Sequence, residues 1–238
     1  MKHFQFLALL LIIHQSFGEE WNGCIDISSP DELVKKNLAT QVCFSTGPAT
    51  DWGTDVKYHR FSFKPTADEY SSFTVAESYK TFVKNGNGED RVIFASSQKK
   101  LSFQRKYYDK NFGIFPHLTA IIDVKDGIVQ GIAWDDACVF CGNDLCKENT
   151  YRFDGSPASL REPTKGCYIP ISDCDAIHNN GGDKCNLKIH VVWTGTDVDG
   201  KYLTSSNKRF SLFQPKQIQD YVKDKITAWV PDFNFKFW

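Results

Sequence analysis

Methionine occurs once in this chain of 238 residues, at Met1. No Asn-x-Ser/Thr sequon is present, so conventional N-glycosylation is excluded. There is also no G-x-S-x-G, no H-E-x-x-H and no Gly-rich phosphate loop, which removes the common signatures of serine hydrolases, zinc proteases and nucleotide-binding enzymes. No apolar run reaches the ~20 residues that span a bilayer as a helix. Charge is balanced, with 28 Lys+Arg against 29 Asp+Glu and a formal net charge of -1. That balance lacks the basic footprint of a general nucleic-acid binder. With 41% hydrophobic and 24% charged residues, the composition is that of a globular chain, not a disordered or collagenous one.

What the sequence has in quantity is aromatic residues, 14% of the chain with 19 Phe and 6 Trp. Aromatic and β-branched side chains suit pleated, half-buried strands. The expected class is α+β and β-rich: antiparallel sheets, sandwich-like or two-lobed, with a short N-terminal helix and a C-terminal helix, braced by disulfides.

The first residues read as a secretory leader. Lys2 and His3 precede the apolar run Phe6 to Ile13, and Ser16 and Gly18 supply small residues for cleavage. The run is too short for a membrane span. The reading is a signal peptide over 1–18 and a single β-rich domain over 19–238, exported and with no transmembrane segment once the leader is removed.

The cysteines fit that address. Cys24, Cys43, Cys138, Cys141, Cys146, Cys167, Cys174 and Cys185 all follow the leader, and an even set in an oxidising compartment reads as up to four disulfides. Zinc is a rival because Cys138-x-x-Cys141 has ligand spacing, but no second close pair follows. Thioredoxin-like redox chemistry is a weaker rival, since no βαβ pattern surrounds Cys138. Spacing alone does not decide the connectivity. The local candidates are Cys24–Cys43 and Cys174–Cys185. The crowding between 138 and 185 predicts a loop-rich insert near 136–186 pinned by bridges.

Along the chain, Ser29-Pro30-Asp31-Glu32 has the form of a helix start and predicts a helix over about 30–38. Strands are predicted near 40–45 and 58–63. Asn85-Gly86 between β-forming runs predicts a hairpin joining 72–84 to 91–94, with a helix over 66–83 as the rival. Lys125-Asp126-Gly127 predicts a second hairpin joining 118–124 to 128–134. A further strand runs from 187 to 193, with a turn near Asp199-Gly200. An amphipathic pattern with Ile218, Tyr221, Val222 and Trp229 predicts a helix over about 216–230. The segment 52–63 echoes 193–211, which raises the possibility of two related β-units or chance likeness between hairpins.

The functional candidates are few. Lys99, Lys100, Arg105, Lys106, Tyr107 and Tyr108 form a basic-aromatic run suited to an anionic sugar, a sulfated polymer or an acidic protein, unless it is simply a solvated face. Carboxylates cluster at Asp135/Asp136, Asp173/Asp175 and Asp197/Asp199. The last pair resembles a fragment of a calcium loop without its full ligand series. His59, His117, His178 and His190 show no metal spacing. Two classes follow: an extracellular or cell-surface binding or structural protein whose partner is a protein or glycan, or a secreted hydrolase using an Asp pair near 135/136. No cofactor or metal is implied.

Overall fold

The computed structural model describes residues 32–49, 59–135, 138, 141, 143–158, 165–179 and 183–208. Its first sheet is built from β1 (Val42–Pro48), β2 (His59–Phe63), β4 (Arg91–Ser97), β6 (Gln104–Asp109) and β11 (Thr150–Tyr151). They lie side by side in the order β11-β6-β4-β1-β2, all antiparallel, with β5 (Lys100–Leu101) on β4 and β7 (Gly113–Ile114) on β6. The second sheet contains β3 (Ser71–Thr74), β8 (His117–Lys125), β9 (Ile128–Trp134), β13 (Lys188–Thr196) and β14 (Tyr202–Leu203). Its order is β14-β13-β8-β9, with β3 also on β13.

The hairpin β8–β9 forms where the Asp-Gly turn predicts it. Asp126 and Gly127 adopt φ of 52° and 80°, the left-handed pair a type I′ turn requires. On β8, Leu118, Ala120, Ile122 and Val124 point into the core at period two. A register shift between Asp123 and Val124 marks a bulge. It lets β9 turn both Val129 and Ile132 inward despite their odd spacing.

The pairing of β13 is the less expected feature. It runs parallel to β8 over a register from Lys188↔His117 to Gly195↔Val124, so the second sheet is mixed rather than purely antiparallel. Gly195 is required at that end. Its φ is +96° and a Cβ would meet the Val124 carbonyl oxygen at 1.8 Å. Both sheets feed one hydrophobic cluster, in which Phe44, Tyr79, Tyr107, Leu118, Ile189 and Trp193 are fully or almost fully buried.

Two local expectations fail for identifiable reasons. From residue 32 onward the predicted N-terminal helix is absent, the chain running irregularly into a turn with Asn37 at φ 64°. Long-range bonds outweigh the capping signal there: Val34 N donates to Gly127 O, Val198 N donates to Val34 O, and Lys36 N donates to Asp197 Oδ2. The Asn85-Gly86 hairpin is likewise not formed. β3 pairs with β13, and residues 80–84 make one π-type helical turn that follows two α-helical residues. Tyr79, Phe82 and Val83 enter the core from this stretch; the rival helix over 66–83 is not formed either, because Ser71–Thr74 is strand β3 and helix is confined to residues 78–84. The helix expected over 216–230 and the leader over 1–18 lie outside the described residues. Residues 52–58 and 209–211 of the suspected repeat lie outside as well. Of the described parts, β2 is an edge strand and β13 an inner one.

Between β9 and β13 the chain leaves the sheets except at β11, which pairs with β6. Strands β10 (Cys146–Glu148) and β12 (Lys165–Cys167) form a separate antiparallel pair, followed by helix α1 (Ile171–Asn179). Cys138–Cys146, Cys141–Cys167 and Cys174–Cys185 are disulfides with Cα separations of 5.5, 5.8 and 5.8 Å. The last is the pair expected from local spacing. Cys43 is also disulfide-bonded, and Cys24, its expected partner, lies outside the described residues.

Candidate functional site

The structure divides the basic-aromatic run. Lys99 and Lys100 are exposed at the turn between β4 and β5. Arg105, Tyr107 and Tyr108 are buried at 1%, 0% and 7% exposure, so these three belong to the interior rather than to a contact surface. Arg105 Nη1 donates to Thr150 Oγ1 at 2.6 Å, while Nη2 donates to the carbonyls of Lys165 at 2.7 Å and Asp135 at 2.9 Å. Tyr107 Oη donates to Cys185 O at 2.8 Å, and burial pushes its phenol well above the usual range. Lys106 sits between Asp109 and Asp90 at 2.6 and 2.8 Å, over the Tyr151 ring. Burial alone would lower its pKa, but the two carboxylates outweigh it and raise it. The sequence could not separate these roles, because the partners come from segments about 30 to 60 residues away.

What remains at the surface adjoins a groove of about 330 Å³ between β5 and the β8–β9 hairpin. Leu101, Phe103 and Phe153 give it apolar walls, and Asp123 and Gly131 lie on the β8–β9 side. Phe153 meets Phe94 edge-on at 5.5 Å between ring centres. Trp134 Nε1 donates to Phe103 O at 2.6 Å, and Val129 N donates to Gln98 Oε1 at 2.6 Å. These two bonds fix one wall against the other.

The carboxylate candidates resolve differently. Asp197 is fully buried and accepts backbone N–H bonds from Lys36, Asp199 and Lys201 at 2.8–2.9 Å. Burial would raise its pKa, but those donors hold it below the usual range. The resemblance to a calcium loop is therefore turn anchoring: Asp197 ties the 199–201 turn to the N-terminal segment. Asp199 pairs with Lys35 at 3.1 Å. Asp175 binds Lys84 and the Tyr79 hydroxyl. Asp135 is half-buried just beyond β9, whereas Asp136 lies outside the described residues. Among the described residues no group of three His, Cys, Asp or Glu has a geometry that holds a metal ion.

One cluster has no counterpart among the candidates visible in the sequence. His117 and His190 stand on neighbouring strands with near-parallel rings 6.0 Å apart, and Tyr70 Oη shares a hydrogen bond with His190 Nδ1 at 3.0 Å. Thr119 pairs with His190, and its carbonyl accepts from Asp135 N. His117 and His190 therefore share the sheet face opposite the core side chains, with Tyr70 bonded to His190 and Asp135 close enough to act on Tyr70. Burial, then His117 and Lys188, depress the His190 pKa to about 4, and burial with Lys188 lowers that of His117. Burial and nearby Asp135 raise that of Tyr70. The signal was partly present, since each histidine falls in or beside a predicted strand. The parallel pairing that joins them was not.

Fold and surface together define a disulfide-braced, β-rich protein with a groove lined by β5, β8, β9 and Phe153. A family model described as Uncharacterised protein DDB_G0273449 matches residues 95–219, more than half the chain, and the protein belongs to that family. The matched span holds the groove, the histidine cluster's two strands and six of the eight cysteines. No curated protein and no solved structure matches the chain. No helix among the described residues is long and apolar enough to cross a membrane.

Proposed function

We propose that this chain is an exported protein that acts by binding an extracellular protein or glycan, with the Lys99-Lys100 turn and the adjoining groove as the contact surface. One observation supports export above others: the described cysteines are all in disulfides, the state an oxidising compartment maintains. N-terminal sequencing of secreted protein should begin at Glu19, and an intact Met1 would contradict export by this leader. The binding surface combines two exposed cations with the flat faces of Phe103 and Phe153, chemistry suited to an anionic partner. Replacing Lys99 and Lys100 by Gln should weaken retention on a sulfated polysaccharide resin. The loss should shrink toward 1 M salt, where the Debye length is about 3 Å. Equal retention of both proteins at low salt would make the turn a solvated surface and remove the basis of this reading.

A second reading, a secreted hydrolase, rests on Asp135 lying near Tyr70 and the histidine pair. Its test is hydrolysis of a panel of glycoside and ester substrates. Activity abolished by Asp135→Asn with the fold intact would favour it over binding alone.

A further inference from the structure

We propose that Cys138, Cys141, Cys146 and Cys167 form a thiol–disulfide exchange site with two closed pairings. One is the Cys138–Cys146 and Cys141–Cys167 pairing present here; the other is Cys138–Cys141 with Cys146–Cys167.

The backbone places the four residues at the corners of a quadrilateral. Two sides are the existing bonds, with Cα separations of 5.5 and 5.8 Å. The third side is the β10–β12 ladder, where Cys146 and Cys167 are direct register partners. Residues opposed in an antiparallel pair lie roughly 4.5–5.5 Å apart at Cα with side chains on the same face, within the usual disulfide range of about 4.4–6.8 Å. The fourth side is the Cys138-x-x-Cys141 turn, closed by Cys141 N donating to Cys138 O at 3.4 Å, and C-x-x-C is a spacing that closes disulfides. All four are partly exposed, whereas Cys174 and Cys185 are buried at 0% and 3%. Exchange requires access for an attacking thiolate, so the quartet and the buried bridge differ in the property that controls the reaction.

The co-reactant is a small monothiol, and it is regenerated. Its thiolate attacks Cys141 Sγ, forming a mixed disulfide and releasing the Cys167 thiolate. Cys167 attacks its cross-strand neighbour Cys146, so Cys146–Cys167 forms and the Cys138 thiolate leaves. Cys138 attacks Cys141, forming Cys138–Cys141 and returning the monothiol thiolate. Two disulfides are present before and after, so no net oxidation or reduction occurs. The structural consequence is that the 138–141 turn, now lashed to the ladder by two bonds, is untied from it.

The test is disulfide mapping of the oxidised full-length secreted protein after exposure to a catalytic concentration of reduced glutathione. Samples are quenched in acid, alkylated, and cut before Asp144 and after Lys147 and Lys165. The present pairing links the Cys138/Cys141 fragment to both the Cys146 and the Cys167 fragments. The alternative pairing releases it with an internal disulfide and leaves the other two joined to each other. The expected result is appearance of those two products at least about tenfold faster than any exchange at Cys174–Cys185, because access sets the rate. Persistence of the three-fragment product alone would overturn the proposal. So would scrambling that involves Cys174 or Cys185 at the same rate, since that is general unfolding. In Cys146→Ser/Cys167→Ser, Cys138 and Cys141 should be recovered as a disulfide, and two free thiols there would overturn it as well.

Discussion

The second sheet and the cysteine-rich segment that interrupts it are neighbours held by different forces. In the sheet, β8 and β13 share an eight-residue parallel register, and Leu118, Ile122, Ile189, Val191 and Trp193 have at most 1% exposure. In the segment, strands are two or three residues long, and its most buried described members include Asn149, Thr150, Cys174 and Cys185. Apolar burial, at roughly 25 cal/mol per Å², stabilises the first region. Among the described residues of the second, Cys174 and Cys185 join the buried cluster with Ile169 and Ile171 against it, and disulfides and polar contacts supply the rest of the bracing. Arg105 joins the two, since its guanidinium reaches from β6 to the end of β9, to β11 and to β12.

The largest effect should come from the sheet. Trp193→Ala removes a fully buried aromatic from an inner strand and should cost about 3–5 kcal/mol in denaturant unfolding. A loss below about 1 kcal/mol would mean the sheet core is not where stability resides. Arg105→Met should cost somewhat less, about 2–4 kcal/mol, because three acceptors lose a charged donor. It should also distinguish the regions: amide exchange should rise most across 143–167 and least in β8 and β13. Uniform loosening would show that the guanidinium supports the sheets directly.

Acid supplies a smaller perturbation confined to the sheet. His190 is held near pKa 4 in the folded chain, against about 6.5 when unfolded. The unfolded state therefore takes up a proton first, and stability falls as pH drops from about 6.5 toward 4. Between pH 7 and 5 the loss should be at most about 2 kcal/mol, given about 1.4 kcal/mol per unit. His190→Gln should flatten that slope. An unchanged slope in the variant would place the acid sensitivity elsewhere.

The same division governs what the sequence discloses. The β8–β9 hairpin was legible because its cause is local, in Asp126-Gly127. Cys174–Cys185 was legible for the same reason. The β8–β13 pairing was hidden because nothing in either strand specifies a partner about 70 residues away or its direction. Glu32 to Leu38 reads as helix from its neighbours and is overruled by bonds to Gly127, Asp197 and Val198. The basic run reads as surface because charge is the visible property. Arg105 is interior because three distant oxygen acceptors replace its water. Of the six residues proposed there, only Lys99 and Lys100 stayed on the exposed surface the reading required.

The decisive measurement is amide hydrogen exchange on the full-length protein after reduction under native conditions just sufficient to open Cys138–Cys146 and Cys141–Cys167. If burial holds the sheets and bridges hold the segment, exchange should accelerate across 143–167 while Leu118–Val124 and Ile189–Trp193 keep their protection. Equal acceleration in both regions would show that the bridges stabilise the whole fold and that the two regions do not differ in kind.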